Sequence, residues 1–164
     1  MRETGPLPKD HPPVAAKKIG LLLVNLGTPD APDKQSVKRY LKQFLSDKRV
    51  VEIPSIIWQP ILRGVILNTR PAKSAHAYSL VWTEDGSPLA FYTRRQAEQL
   101  AGRLEGVMVD WAMRYGNPSI SDRLTSMKAA GCDRILIAPL YPQYSGTTTA
   151  SVHDAVFDAV AAMR

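Results

Sequence analysis

Long apolar runs, cysteine and charge concentrated in one sign are what this sequence has least of, and each shortage removes a class of function. No stretch is long and apolar enough to cross a bilayer, which takes about 20 consecutive apolar residues in a helix. A single cysteine, Cys132, excludes an internal disulfide framework and any metal site built from several thiolates of this chain. Beside Gly131 and just ahead of an apolar run, it reads as a packing residue. The net charge of +6 is moderate, and its small clusters (Lys17-Lys18, Lys38-Arg39, Arg94-Arg95) are scattered. That pattern reads as solvated faces and not as a nucleic-acid surface. Residues 1–16 carry Pro6, Pro8, Pro12 and Pro13 and lack the apolar core of a signal peptide, so a disordered lead-in and a cytoplasmic location are expected.

What is present suits one α/β domain over 17–164, since 164 residues with 45% apolar content can bury a real core. Lys18 to Asn25 is apolar on both faces, as a central parallel strand is. Leu26-Gly27-Thr28-Pro29 and the following Asp30 to Asp33 read as a loop, and Asp33 as the N-cap of a helix. Val37, Tyr40, Leu41, Phe44 and Leu45 then fall on one helical face, with Lys34, Lys38 and Lys42 opposite. Ile56 to Leu67 is apolar nearly all round; the residues alone leave open a partner surface, a greasy cleft or a membrane surface. A second helical segment is expected from Arg70-Pro71 to Trp82, completing a helical insert over about 34–83. Ser87-Pro88 opens a further helix. Val107 to Met113 alternates as a strand, Arg114 to Pro118 reads as a turn, and Ile120, Leu124 and Met127 mark a helix closed by Gly131. The run Arg134 to Leu140 is a strand, and a helix follows from about Ala150. The order predicts a doubly wound, mostly parallel, three-layer Rossmann-like sheet. The last helical pattern reaches Arg164 without a cap and the sheet is thin, so the sequence is expected to be cut there.

In a parallel sheet all strand C-termini share one edge, where ligands bind. Three segments meet there: Leu26 to Pro29, Arg114 to Asn117, and Tyr141 to Thr149. Aromatic faces offer stacking surfaces, and Arg114 offers a planar fork for a carboxylate or phosphate. A flat, aromatic, anionic ligand fits that set. A flavin phosphate cradle does not, because the loop after the first strand carries Asp30 and Asp33, which repel phosphate.

The spans Leu22 to Pro29, Arg39 to Asp47, Gly86-Ser87-Pro88-Leu89, Met113-Arg114-Tyr115-Gly116 and Pro139 to Ser145 resemble the ferrochelatases, the metal-inserting enzymes of haem synthesis. The likeness runs from about Lys17 to the end, in order. It implies a chelatase-type fold of two similar halves with a porphyrin cleft between them, of which this chain is the N-terminal half. It implies that Leu26 sits under the macrocycle, that Arg70, Tyr78 and Ser87 hold propionates, that Arg114 and Tyr115 lie in the cleft, and that Tyr141 lies along the metal path. The Ile56 to Leu67 segment becomes an apolar lip able to rest peripherally on the inner membrane surface. The implied partners are the porphyrin and the missing C-terminal half, and iron(II) is a substrate, with no resident cofactor.

Metal insertion also needs a base for two pyrrole protons. In the family this is a histidine in a Ser-x-His motif, assisted by a glutamate, both in the second half. None of His11, His76 and His153 is read as carrying that motif, so no catalytic residue and no metal ligand is assigned here, and the chain alone is expected to be inactive. Gly146 stands where some members place an iron–sulfur cysteine, which argues against a cluster. Two other readings stay open: a non-catalytic porphyrin- or haem-binding module, and a cobalt or sirohydrochlorin chelatase.

Overall fold

The structure is a computed structural model that describes residues 18–163; the expected lead-in over 1–16 lies outside them. Three strands, β1 (Lys18–Thr28), β2 (Val107–Gly116) and β3 (Cys132–Pro139), form one sheet in the order β2-β1-β3. Both pairings are parallel. The helices are α1 (Lys34–Leu45), α2 (Ser55–Ile61), α3 (Leu67–Ser79), α4 (Pro88–Ala101), α5 (Ile120–Ala129) and α6 (Ser151–Ala162).

Strand β1 is central, and its side chains alternate between two covered faces. Leu22 and Val24 are fully buried against a cluster with Ala112, Leu124, Met127 and Val152, which brings α5 and α6 onto one side. On the other side Leu23 is buried, and Asn25 Nδ2 donates to Thr93 Oγ1 of α4 at 3.1 Å. The expected three-layer α/β arrangement is therefore present. Cover is incomplete beside β3, where Leu136 is 63% exposed.

Helix α1 begins and ends where its pattern places it. The Asp33 carboxylate accepts from the amides of Gln35 (2.7 Å) and Ser36 (3.0 Å), satisfying donors that the first turn leaves free. Val37, Tyr40, Leu41 and Leu45 are buried in a second core shared with Leu62, Leu67, Ala75 and Tyr115.

The segment after α1 differs from expectation. Helix α3 starts at Leu67, before Arg70-Pro71, and joins α2 through a π-helical turn over Leu62–Ile66. A π turn leaves carbonyls out of the usual ladder. Asn68 Nδ2 donates to the carbonyls of Arg63 (3.1 Å) and Gly64 (2.9 Å), and Thr69 Oγ1 to that of Val65 (3.0 Å). These side chains supply the donors. One side of the segment is anchored: Leu62 and Leu67 are buried, and Trp58 Nε1 donates to the Leu45 carbonyl at 2.7 Å. The other side presents Ile56, Ile57, Ile61 and Val65 to solvent.

Two other boundaries need correcting. Leu26 to Thr28 and Arg114 to Gly116 read as loop and turn, yet β1 and β2 remain paired through Gly27↔Tyr115 and Thr28↔Gly116. Glycine makes this possible. Gly27 has φ +114°, and a Cβ built there would lie 1.8 Å from the Tyr115 carbonyl oxygen; at Gly116 (φ +88°) it would lie 2.5 Å from that of Thr28. The two backbones approach too closely for any side chain, and that approach carries the strands to the sheet edge.

Gly27→Ala is expected to cost about 3 kcal/mol or more, because positive φ and a backbone clash coincide. Gly106→Ala, at φ +73° with open space around it, should cost only the conformational strain, about 1–2 kcal/mol. Urea midpoints of the two variants measure the difference; equal losses would count against the close-approach account.

Candidate functional site

A charged residue near the end of a buried strand needs a partner, since an uncompensated charge in a poorly hydrated place is costly. Arg114 on β2 has two. Its Nη2 donates to Asp47 Oδ2 at 2.7 Å, and its Nε reaches the carbonyl (2.8 Å) and hydroxyl (2.7 Å) of Ser151. The same Asp47 oxygen accepts from Tyr115 OH at 2.7 Å and from Ser151 Oγ at 2.6 Å. Its other oxygen, Oδ1, accepts from the Arg49 amide at 2.8 Å within the loop after α1. A second tie runs parallel: the Arg49 guanidinium grips the Asp154 carboxylate of α6.

The Asp47–Arg114 pair is largely out of solvent, with side-chain exposures of 9% and 15%. Burial alone would raise the Asp47 carboxyl, but the Ser151 and Tyr115 hydroxyls, the Arg49 amide and the Arg114 charge outweigh it, and the acid is held below its usual range. Burial is also what pushes the Tyr40, Tyr78, Tyr115 and Tyr141 phenols up, so all four stay neutral at physiological pH.

Above this node lies an aromatic wall. The Tyr115 ring has no exposed surface; Arg114 sits 4.5 Å from its centre and Phe44 meets it edge-on at 5.1 Å. Phe44 lies nearly parallel to Tyr40 at 6.1 Å, and Tyr78 meets both Tyr40 (6.3 Å) and Trp82 (6.5 Å) edge-on. Leu26 and Tyr78, both half-buried, pack against the core that contains Tyr40 and Tyr115. An open depression of about 470 Å³, lined by Arg39, Lys42, Gln43, Ser46, Asp47 and Arg114, borders the wall. A roomier gap of about 520 Å³ lies away from it, among Leu124, Ile135, Ile137 and Val156; its lining is mainly apolar and it lacks this site's chemistry.

The residues expected to bind a ligand thus divide. Leu26, Tyr78, Arg114 and Tyr115 share the wall and its support. The Tyr141 hydroxyl is buried without a partner, and its ring packs on the α5/α6 side of the sheet, with the phenol within electrostatic reach of Arg114 and Tyr40. Arg70 is exposed on α3, and among the described residues it forms no ion pair or hydrogen bond. Ser87 is buried at the N-cap of α4, where its side chain makes no capping bond. Asp47 and Ser151 were not singled out by sequence reasoning as parts of the site. The available signal was Arg114 itself, which demands a carboxylate from some neighbouring loop.

The reading of the histidines is corrected on one point. The bare Ser-x-His pattern occurs twice, as Ser74-Ala75-His76 and Ser151-Val152-His153. Both imidazoles are exposed, and His153 leans toward Phe157 at 6.5 Å while Ser151 turns inward to Asp47. Among the described residues, no group of three or more His, Cys, Asp or Glu side chains is placed to hold a metal ion.

The sequence profile of the ferrochelatase family matches residues 18–164. Ferrochelatases of Azoarcus sp. (strain BH72) and Aromatoleum aromaticum are 60% and 62% identical over 142 and 145 residues; each match covers 85% of this chain and 39% or 40% of the relative. That of Rhizobium etli (strain ATCC 51251) is 54% identical over 162 residues, covering 96% of this chain and 47% of the relative. The chain spans less than half the length of these curated relatives.

Removing the node's carboxylate by Asp47→Asn is expected to cost about 3 kcal/mol at neutral pH, since it strands a buried arginine. The folded acid ionises below its ordinary 3.8. Its stabilisation is therefore full above pH 3.8 and is lost as pH falls through the lower folded value. Urea midpoints against pH should show the gap between the two proteins closing below that point, with Asp33, which does not interact with Asp47, titrating alike in both. A gap independent of pH would refute the assignment.

Proposed function

The chain belongs to the ferrochelatase family, and we propose that it supplies the porphyrin-binding half of an enzyme that inserts iron(II) into protoporphyrin IX or a closely related carboxylated porphyrin. The observation that carries this reading is the family match across 18–164, which takes in every element around the aromatic wall.

The chemistry of the wall supports it. Phe44, Tyr78 and Trp82, backed by the buried Tyr40, present apolar ring surface beside the sheet edge, suited to one face of a flat macrocycle. Arg70 stands at the wall's exposed end with its charge uncommitted, the requirement for a propionate ligand at a cleft mouth. Leu26 gives the floor an aliphatic contact, and Ser87 and Tyr141 are the remaining proposed contacts. This half binds and orients the ring and keeps water from one of its faces. Taking the pyrrole protons falls to the other half, where the family resemblance puts the histidine and the glutamate that assists it.

Two surfaces fit proposed partners. The exposed apolar residues Leu136, Tyr144, Phe157 and Val160 suit the C-terminal half of the enzyme. Ile56, Ile57, Ile61 and Val65 suit a peripheral lip at a membrane surface. No helix of the described residues is long and apolar enough to cross a membrane.

The test is porphyrin binding and metallation by the purified chain, alone and mixed with the C-terminal portion of the Azoarcus relative. Binding without iron insertion is expected for the chain alone, with insertion appearing in the mixture. Iron-dependent turnover by the chain alone would sink the half-enzyme assignment, and absence of porphyrin binding would sink the porphyrin reading itself.

A further inference from the structure

Arg114 carries the guanidinium closest to the wall, and its chemistry suits a porphyrin carboxylate. Its geometry does not. Nη2 is committed to Asp47 at 2.7 Å and Nε to Ser151, and the side chain is only 15% exposed. A carboxylate seeking the bidentate fork of this guanidinium would have to compete with Asp47 for Nη2, leaving that acid buried beside a second negative charge. Tyr115 is equally withdrawn, with no exposed surface and a hydroxyl bound to both Asp47 and Ser151.

We propose that Asp47 is a positioning residue of the porphyrin wall, and that Arg114 and Tyr115, held by it, act from behind the wall and not as ligands of the porphyrin carboxylates. The inference rests on the porphyrin reading above and assigns roles within it. Asp47 joins the loop after α1, the end of β2 and the start of α6 through one carboxylate oxygen. From there contact passes through the Tyr115 ring to Phe44, then through the buried Tyr40 to the half-buried Tyr78. The Arg49–Asp154 pair ties the same loop to α6 a turn further on, so the loop is fixed from two points. A change at Asp47 therefore shifts the surface a macrocycle meets without removing any group that touches it.

The two roles separate by comparing protoporphyrin IX with its dimethyl ester, which keeps the ring and loses both carboxylate charges. Affinities of the 164-residue chain for each are read from quenching of tryptophan fluorescence, and the seating of the ring from its induced circular dichroism in the Soret band. Asp47→Asn and Arg114→Lys are each expected to weaken both porphyrins by the same factor, about tenfold, as misplacement of a binding surface does. The double variant should be no weaker than the worse single one, because both changes break one device. The induced dichroism should change shape in every case. If Asp47→Asn does not fold, Arg114→Lys and Tyr115→Phe, which keep the charge and the ring, carry the same decision.

A loss confined to the diacid in Arg114→Lys would overturn the proposal by making Arg114 a direct ligand. Unchanged affinity and dichroism alongside a lowered melting temperature would overturn it too, by making Asp47 merely structural. Absence of binding of either porphyrin by the unsubstituted chain would instead remove the porphyrin reading, and this inference with it.

Discussion

One carboxylate, largely out of solvent, holds the functional end of this fold together. Asp47 accepts from a guanidinium, a phenol and a serine hydroxyl through a single oxygen, and the donors come from elements far apart in sequence. Desolvation works against ionisation there, and the donors together outweigh it. Such a node is sensitive to partial loss: removing one member leaves the others buried and unpaired. That sensitivity fixes the geometry of the α1 loop against β2 and α6 more sharply than apolar packing would, since apolar contacts tolerate small displacements.

The node depends in turn on how far the strands run. Arg114 and Tyr115 reach Asp47 because β2 stays paired with β1 to its last residue, Gly116 opposite Thr28. Side chains at Gly27 or Gly116 would hold the strands apart there. Backbone approach thus determines where the arginine and the phenol arrive, and the carboxylate then secures them. The aromatic wall is built on top of that pair, through Phe44 on Tyr115.

How much of this the sequence disclosed follows from the range of each interaction. Helix α1 was legible to its ends, because an N-cap aspartate and a regular apolar stripe are local signals. The parallel sheet was legible too, from apolar runs separated by helical patterns. The strand ends were not: Gly27 and Gly116 carry the signature of a loop, and only the cross-strand pairing shows that they continue the ladder. The start of α3 was misplaced because Pro71 looks like a first-turn proline, while the preceding π turn is supported by Asn68 and Thr69, whose roles have no sequence period. Asp47 lies 67 residues from Arg114, a separation at which no spacing rule operates.

The same contrast bears on what a resemblance transfers. Motif likeness brought Arg114 and Tyr115 to the site as residues of a cleft, and the structure adds that Nε and Nη2 of the one and the hydroxyl of the other are committed to Asp47 and Ser151. A residue can recur in a binding motif because it touches the ligand or because it holds what touches the ligand. Exposure distinguishes the two: Arg70 stands in solvent, whereas Tyr115 has no accessible surface at all. On the proposed reading, recognition of the carboxylates and shaping of the wall are therefore divided between different cations. A buried cation with a fixed partner gives the wall its shape, and an exposed one remains able to follow a flexible propionate.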